Sequence, residues 1–394
     1  MNKYYNEINN FIEEHREEML KKWETFVNLE GHYNEKENVE KAQEWLRKEF
    51  EEEGFECYIK EVASDKAGVL VGMLGKERGT APIIFSGHID TVHRTGSFGE
   101  KPFKIEDGKA FGPGVLDMKG GILISLYAVK ALNSIGYNEH PIKIMYAGEE
   151  ESDHIGNDAD LFYENESRGA ICAFNMETGH ITNSLCVGRK AQYTFFATIK
   201  GLGGHAGNEF TKGKNAIHEA VYKINEMMKL TDLNKGTTVT TSVIHAGENT
   251  SSIPDLCKVV FDVRFTNAKE GEYIAEYVDK VMNTAYIEGT VTEYYKNLAK
   301  LKAFDGEPQV MKLFNFVNEV AKENEFSEFG QIKLGGASDA GNIAASGIPV
   351  ICSCGVIGEF NHNIREYAVV ESLFDRSKIF ALAVLEINKM IENK

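Results

Sequence analysis

Apolar residues along the chain follow two different periods, which predict different secondary structure in successive segments. Within the first fifty residues or so they recur at helical spacing, as in Ile8, Ile12, Met19, Trp23 and Phe26. Beyond Gly54, short apolar runs typical of strands alternate with longer helical patterns. The predicted elements are strands at 68–74, 83–86 and 142–146 and a helix at 120–132. Strands that alternate with helices indicate an α/β domain with a mostly parallel sheet.

Near Gly188 the pattern changes to one of longer alternating strands. Strands are predicted at 192–200, 237–245 and 258–265, and helices at 215–230 and 271–284. This β-α-β-β-α order is typical of a small α+β domain, in which two helices cover a four-stranded antiparallel sheet. The first pattern then resumes with a helix at 309–324 and a strand at 349–354. We therefore predict a catalytic domain in two parts, 1–187 and 300–394, with a second domain inserted at 188–299.

Composition narrows the classes of protein that fit this pattern. At 394 residues the chain exceeds the ~250–300 residues at which one core stops growing, which also favours two domains. A formal net charge of −17 argues against nucleic acid as a partner, because phosphate binding needs a basic surface. No apolar run is long enough to span a membrane, and the first residues do not resemble a secretory signal. Six scattered cysteines are typical of free thiols in a reducing compartment, so we expect a cytoplasmic protein.

Acidic and imidazole side chains follow several of the predicted strands and turns. They are His88 and Asp90, Asp117, Glu149 and Glu150, Glu177, and His362. Ligands at the carboxyl ends of strands in an α/β sheet can meet in one crevice. This set resembles the inventory of a hydrolase in which two metal ions ~3.5–4 Å apart activate a water molecule.

Each of these residues also has an ordinary structural explanation when taken alone. Asp117 precedes a helix and could be its N-cap, and an acidic run such as 149–151 is usually solvated surface. Two adjacent carboxylates at a strand end project differently, however, so one can bind an ion while its neighbour transfers a proton. The set contains oxygen and nitrogen ligands without a thiolate, as in catalytic zinc sites, although Co²⁺ or Mn²⁺ could use the same ligands.

The motifs as a set resemble those of the zinc aminoacylase and carboxypeptidase superfamily, and most closely its glutamate carboxypeptidase branch. The segments that carry the resemblance are Gly87-His88-Ile89-Asp90-Thr91-Val92, Gly112-Pro113-Gly114 through Asp117-Met118-Lys119-Gly120-Gly121, Gly148-Glu149-Glu150 and Met176-Glu177. The similarity runs from about residue 40 to the end of the chain.

The resemblance implies a role for each site residue. Residues His88, Asp117 and Glu177 would hold one Zn²⁺, and Asp117, Glu150 and His362 the other. Asp90 would orient His88, and Glu149 would be the general base. The inserted domain would be a lid and dimerisation domain that supplies His205 to the oxyanion and Arg264 to a substrate carboxylate. Gly335 and Gly336 would belong to a substrate loop.

Two features depart from the simplest pattern. Ser251 stands where the superfamily commonly has a substrate-binding Asn, and the nearby Asn249 could take over that contact. The stretch Gly201–Ala206 fits a dinucleotide-binding fingerprint, which would suggest a nicotinamide dehydrogenase. Gly207, Gly213 and a polar loop follow it instead of a helix, so we reject that alternative.

We therefore expect a homodimeric di-zinc hydrolase that cleaves an amide bond next to a free carboxylate, as a carboxypeptidase or an N-acyl-amino-acid deacylase. Its substrate would be a small peptide or an N-acyl amino acid. One alternative is an aminopeptidase or tripeptidase of the same superfamily, in which Arg264 is structural. A more remote one is a metal-binding homologue without turnover.

Overall fold

The computed structural model describes residues 3–298 and 300–392, and these form two compact units. The first unit comprises the chain up to Gly188, Gly306–Leu334, and the chain from Ser338 onward. The second comprises Arg189–Asp305 together with the short segment Gly335–Ala337. The second unit thus extends past the predicted limit of 299 and includes a glycine-rich segment that the sequence analysis assigned to the catalytic domain.

Both units contain helices and strands, which alternate along the chain. The helices are α1 (Tyr5–Glu14), α2 (Arg16–Asn28), α3 (Lys36–Glu52), α4 (Gly120–Ser134), α5 (Ala159–Ser167), α6 (Ala216–Met228), α7 (Ala268–Asn283), α8 (Pro308–Glu323), α9 (Asp339–Ala344), α10 (Val370–Leu385) and α11 (Ile387–Glu392). Short helical turns lie at Lys76–Arg78, Val115–Lys119 and Glu150–Ser152.

The strands are β1 (Glu56–Lys60), β2 (Val69–Leu74), β3 (Ile83–His88), β4 (Lys104–Glu106), β5 (Lys109–Phe111), β6 (Ile142–Ala147), β7 (Cys172–Asn175), β8 (Gly179–His180), β9 (Ser184–Arg189), β10 (Ala191–Lys200), β11 (Gly204–His205), β12 (Thr238–Ala246), β13 (Ser252–Ile253), β14 (Leu256–Phe265), β15 (Val291–Leu298), β16 (Phe304–Asp305), β17 (Gly330–Leu334), β18 (Val350–Ile351), β19 (Ile357–Glu359) and β20 (Tyr367–Val369).

A six-stranded sheet with the order β1-β2-β6-β3-β7-β18 forms the centre of the first unit. Strand β3 runs parallel to both β6 and β7, and β18 runs parallel to β7. Strand β2 is antiparallel to both of its neighbours, β1 and β6. Every residue of β3 and β6 is buried, so neither strand alternates between buried and exposed positions. Phe174 packs between Phe85 and Phe380, with ring centroids 5.7 and 5.3 Å apart.

These elements confirm the prediction of a mixed α/β fold. The predicted strands at 83–86 and 142–146 correspond to β3 and β6, and the predicted helix at 120–132 corresponds to α4. All six cysteines are free, as their scattered positions indicated. Among the described residues, no helix is both long and apolar enough to cross a bilayer.

The second unit is built on an antiparallel sheet with the order β12-β14-β10-β15. Its core contains Phe195, which lies opposite Phe261 in the register of β10 and β14, and both are almost fully buried. Helices α6 and α7 contribute apolar residues to the same core, among them Ala220 and Ile274. The fourth strand, β15, was not located from the sequence, because its polar and aromatic residues lack a clear apolar alternation.

Candidate metal centre and active site

The candidate site lies at the carboxyl ends of three neighbouring strands of the central sheet. Strand β3 ends at His88, β6 ends just before the acidic run 149–151, and β7 ends just before Glu177. Because β3 is parallel to both β6 and β7, these ends lie at one edge of the sheet. The sheet topology therefore brings together side chains that are almost ninety residues apart in the chain.

A first group of ligand-type side chains consists of His88, Asp117 and Glu177. The Nε2 atom of His88 lies 3.3 Å from Asp117 Oδ1 and 3.5 Å from Glu177 Oε1. All three residues are buried. One imidazole nitrogen and two carboxylate oxygens at this spacing can surround a single divalent cation.

A second group consists of Asp117, Glu151 and His362. The Nε2 atom of His362 lies 3.3 Å from Asp117 Oδ2 and 3.2 Å from Glu151 Oε2. Asp117 thus presents one carboxylate oxygen to each group. A carboxylate shared in this way is what a bridging ligand between two ions requires.

The electrostatics of the cluster fit cations at these positions. Asp117 Oδ1 and Glu151 Oε1 are buried and accept no hydrogen bond from any described residue, which is costly unless a cation compensates. Burial raises the pKa of Glu151 to about 7. Burial alone would lower the pKa of His88, but the carboxylates of Glu150 and Asp117 outweigh it and raise that pKa well above its usual value. The cluster is therefore rich in negative charge and attracts positive charge.

Within the acidic run, the geometry differs from the sequence assignment by one residue. Glu151, rather than the predicted Glu150, lies with Asp117 and His362. Glu150 is buried, with Oε2 at 4.0 Å from His88 Nε2, and burial raises its pKa well above the usual range. Glu149, the predicted general base, instead bonds to His154 and accepts a 2.8 Å hydrogen bond from Ser152 Oγ. Strand β6 ends at Ala147, and the chain then turns. Because of this turn, the side chains of Glu150 and Glu151, and not that of Glu149, point toward the ligand groups.

Asp90 contacts His88, although not only through its carboxylate as expected. The Nδ1 atom of His88 lies 3.0 Å from the main-chain oxygen of Asp90 and 3.5 Å from its Oδ1. The carboxylate of Asp90 accepts hydrogen bonds from the amides of Glu150 and Glu151, at 3.2 and 3.0 Å. Asp90 therefore orients both the His88 ring and the backbone of the acidic run.

Glu366, which the sequence analysis did not assign to the site, supports the segment that carries Asp117. Its fully buried carboxylate accepts hydrogen bonds from the amides of Leu116 and Asp117, at 2.8 and 3.1 Å. The other oxygen lies 2.7 Å from His93 Nε2. Glu366 thus fixes the backbone at Asp117, the residue that the two groups share.

In the second unit, His205 is exposed and its ring is oriented by its own loop. Its Nδ1 accepts hydrogen bonds from the amides of Gly207 and Asn208, both at 3.2 Å. A neutral imidazole that accepts at Nδ1 carries its proton on Nε2. The ring therefore presents an N–H donor on its far side.

The residues predicted to contact substrate also lie in the second unit. Arg264 bonds to both carboxylate oxygens of Asp262, at 3.0 and 3.1 Å, and its Nη1 lies 3.4 Å from the main-chain oxygen of Gly335. Gly335 and Gly336 are exposed. Asn249 accepts a hydrogen bond from the amide of Ser251, and both residues are exposed.

Comparison with known protein families agrees with this chemistry. Residues 84–386 match peptidase family M20/M25/M40. Because the match covers well over half of the chain, the protein belongs to this family and is an enzyme of the hydrolase class. The family and the ligand groups together indicate the use of divalent metal. The superfamily resemblance drawn from the motifs is confirmed.

Individual relatives span nearly the whole chain. The protein is 27% identical over 381 residues to carboxypeptidase G2 from Pseudomonas sp. (strain RS-16), covering 94% of this chain and 89% of that protein. It is 25% identical over 372 residues to succinyl-diaminopimelate desuccinylase from Rickettsia rickettsii (strain Sheila Smith), covering 88% and 94%. Its fold resembles the crystal structure of aminopeptidase PepT from Bacillus cereus ATCC 10987, with a TM-score of 0.78, 21% identity and coverage of 95% and 99%.

Proposed function

We propose that the protein is a metallohydrolase with two co-catalytic ions that cleaves an amide bond next to a free carboxylate. The observation that carries this proposal is the shared carboxylate of Asp117, whose two oxygens each lie 3.3 Å from the histidine of a different ligand group. His88 and Glu177 would complete one site, and Glu151 and His362 the other. The oxygen and nitrogen ligands suit Zn²⁺, and Co²⁺ or Mn²⁺ fit the same donors.

The ions, when bound, would polarise the scissile carbonyl and lower the pKa of the attacking water. Glu150 is the residue that we propose as the general base, in place of Glu149. It is buried, and its Oε2 lies 4.0 Å from His88 Nε2, so its carboxylate is placed to take a proton from the attacking water and return it to the departing amine. Glu149 is engaged by His154 and Ser152 and is not available for this transfer.

The second unit would act as the lid and dimerisation domain. The Nε2–H of His205 is the donor that we propose for the oxyanion, where one such donor contributes roughly 2.7–4 kcal/mol. Arg264 would bind the substrate carboxylate, with Gly335 and Gly336 beside it and Asn249 or Ser251 reading the rest of the end group. Exposed Tyr222, Met228 and Ile244 offer apolar area for a second copy of the chain. Sedimentation equilibrium of the protein would test whether it forms a homodimer. We also propose that the protein is cytoplasmic.

The names of the relatives support acyl-amino-acid or peptide substrates. One is named a carboxypeptidase and another a desuccinylase. A small peptide or an N-acyl amino acid is therefore the substrate class that we propose.

The aminopeptidase or tripeptidase alternative is favoured by one observation. The two bonds from Arg264 to Asp262 occupy part of the guanidinium and partly neutralise it, as expected of a structural arginine. In that case the enzyme would read the free α-amine of its substrate instead of a carboxylate.

A matched pair of substrates separates the two functions. The protein is stripped with a chelator, reconstituted with Zn²⁺, Co²⁺ or Mn²⁺, and assayed on an N-acetylated dipeptide and on the same dipeptide as its C-terminal amide. Hydrolysis of the N-blocked compound with two bound ions per chain supports the proposal. Hydrolysis of the C-blocked compound alone supports the aminopeptidase. Absence of bound metal after reconstitution would refute both.

A further inference from the structure

A buried imidazole lies between two carboxylates behind the candidate site, and the proposed reaction does not use it. His154 is fully buried; its Nδ1 bonds to Glu149 Oε1, and its Nε2 lies 2.7 Å from Asp339 Oδ1. Since both ring nitrogens face carboxylates, both act as donors and the ring is an imidazolium. Burial alone would lower the pKa of His154, but the charges of Asp339 and Glu149 raise it well above its usual value.

His154 closes the turn that carries the two glutamates of the site. Glu149 and His154 stand at the two ends of this turn, and their side chains bond to each other across it. Within the turn, the amides of Ser152 and Asp153 donate to the main-chain oxygens of Glu149 and Glu150. Asp153 and His154 have left-handed φ angles of 56° and 53°, a strained conformation that persists only where the surroundings hold it. The imidazolium bond is an interaction that can hold this conformation.

The other side of the ring contacts helices α9 and α5 of the first unit. Asp339 is the first residue of α9 and is almost fully buried. The ring of Tyr163 stacks on His154 with centroids 6.2 Å apart, and its hydroxyl donates to the main-chain oxygens of Gly87 and Met145, each at 3.3 Å. Gly87 directly precedes His88, so the same frame holds the turn and the strand end that carries a metal ligand.

We propose that His154 is a positioning residue, which holds the turn 149–154 so that Glu151 reaches the second ligand group while Glu150 faces the reacting atoms. The part of this inference that concerns Glu150 rests on the proposed function. The part that concerns Glu151 rests only on the geometry of the ligand groups. Without the imidazolium, the carboxylates of Glu149 and Asp339 face each other uncompensated and the left-handed turn loses its support. Residues that orient metal ligands from behind typically change metal affinity or activity by about 10–100-fold.

The test is the substitution His154→Gly, because glycine tolerates the left-handed φ and leaves a space that free imidazole can fill. We expect the affinity for the second Co²⁺ ion, followed by visible absorption, to fall by about 10–100-fold. At saturating Co²⁺ we expect kcat to fall by about the same factor while KM changes little, and added imidazole to restore part of kcat. His140→Gly is the matched control, since His140 is also buried but bonds to Thr80 and Asn388 instead.

A second variant keeps the outcome decisive. Asp339→Asn removes one charge partner with little change of shape and should weaken the second Co²⁺ ion in the same direction, even if His154→Gly does not fold. Wild-type binding of both Co²⁺ ions by His154→Gly, with kcat within about twofold of the wild type, would overturn the inference. Should the wild type hydrolyse neither dipeptide, the proposed function fails, and the Co²⁺ titration still decides whether His154 positions Glu151.

Discussion

We predict that the three consecutive glutamates of the acidic run respond differently to the same substitution. Glu150→Gln keeps the size of the side chain but removes the proton acceptor. Its carboxylate is buried and lies 4.0 Å from Nε2 of His88, a member of the first ligand group. Glu151→Gln removes a charged ligand from the second group. Glu149→Gln leaves an oxygen that can still accept the bond from His154.

The expected magnitudes follow from these environments. General base catalysis typically contributes 100-fold to 10,000-fold, so Glu150→Gln should raise the activation barrier by about 2.7–5.4 kcal/mol. Because the carboxamide preserves the buried volume, two ions should stay bound and KM should change little. Glu151→Gln should release one ion per chain. Glu149→Gln should lower kcat by less than about tenfold, because it is not the proton acceptor.

The assay measures bound metal per chain and steady-state kinetics on the N-acetylated dipeptide for the wild type and the three variants. Thermal unfolding of each variant shows whether a loss of activity reflects a loss of the fold. If Glu149→Gln abolished turnover with two ions bound while Glu150→Gln kept most of it, our reassignment of the base would be refuted. Loss of an ion in Glu150→Gln but not in Glu151→Gln would likewise refute the ligand assignment.

Three other predictions concern substrate binding, charge burial and packing. Arg264→Ala should raise KM for the N-acetylated dipeptide by about 10–150-fold with a smaller effect on kcat, because a charge-assisted hydrogen bond contributes about 1.5–3 kcal/mol; an unchanged KM would favour the aminopeptidase. Burial raises the pKa of Asp375, so this carboxyl binds its proton more tightly in the folded state. The protein therefore loses stability as the pH rises from the pKa of Asp375 in the unfolded state to its higher pKa in the folded state. In urea unfolding, Asp375→Asn should therefore be more stable than the wild type at pH ~7 but not at pH ~3; equal midpoints at both would contradict this. Phe195→Ala should destabilise the second unit by about 3–5 kcal/mol, since Phe195 is fully buried in its core; a loss below about 1 kcal/mol in urea unfolding would contradict that packing.

The apolar patterns located much of the fold, and the ligand motifs indicated most of the side chains that the structure brings together. Helix α4 and strands β3 and β6 lie close to their predicted positions, because strong local periodicity and full burial coincide there. The strand β15 was not located, since its pairing with β10 rather than its own pattern makes it a strand. The structure brings together His88, Asp117, Glu177 and His362, as the motifs indicated, but it places Glu151 where Glu150 was expected.

The acidic run 149–151 shows what the sequence could not determine. Glu149, Glu150 and Glu151 are chemically identical, so only the turn after β6 decides which carboxylate joins Asp117 and His362. The same holds for Glu366 and His154, which look like ordinary surface or core residues until folding places their partners beside them. The sequence by itself determined the family and the kinds of ligand, because these depend on residue type and order. The tertiary structure decided which side chain holds each position, because that depends on backbone direction and on contacts between residues far apart in the chain.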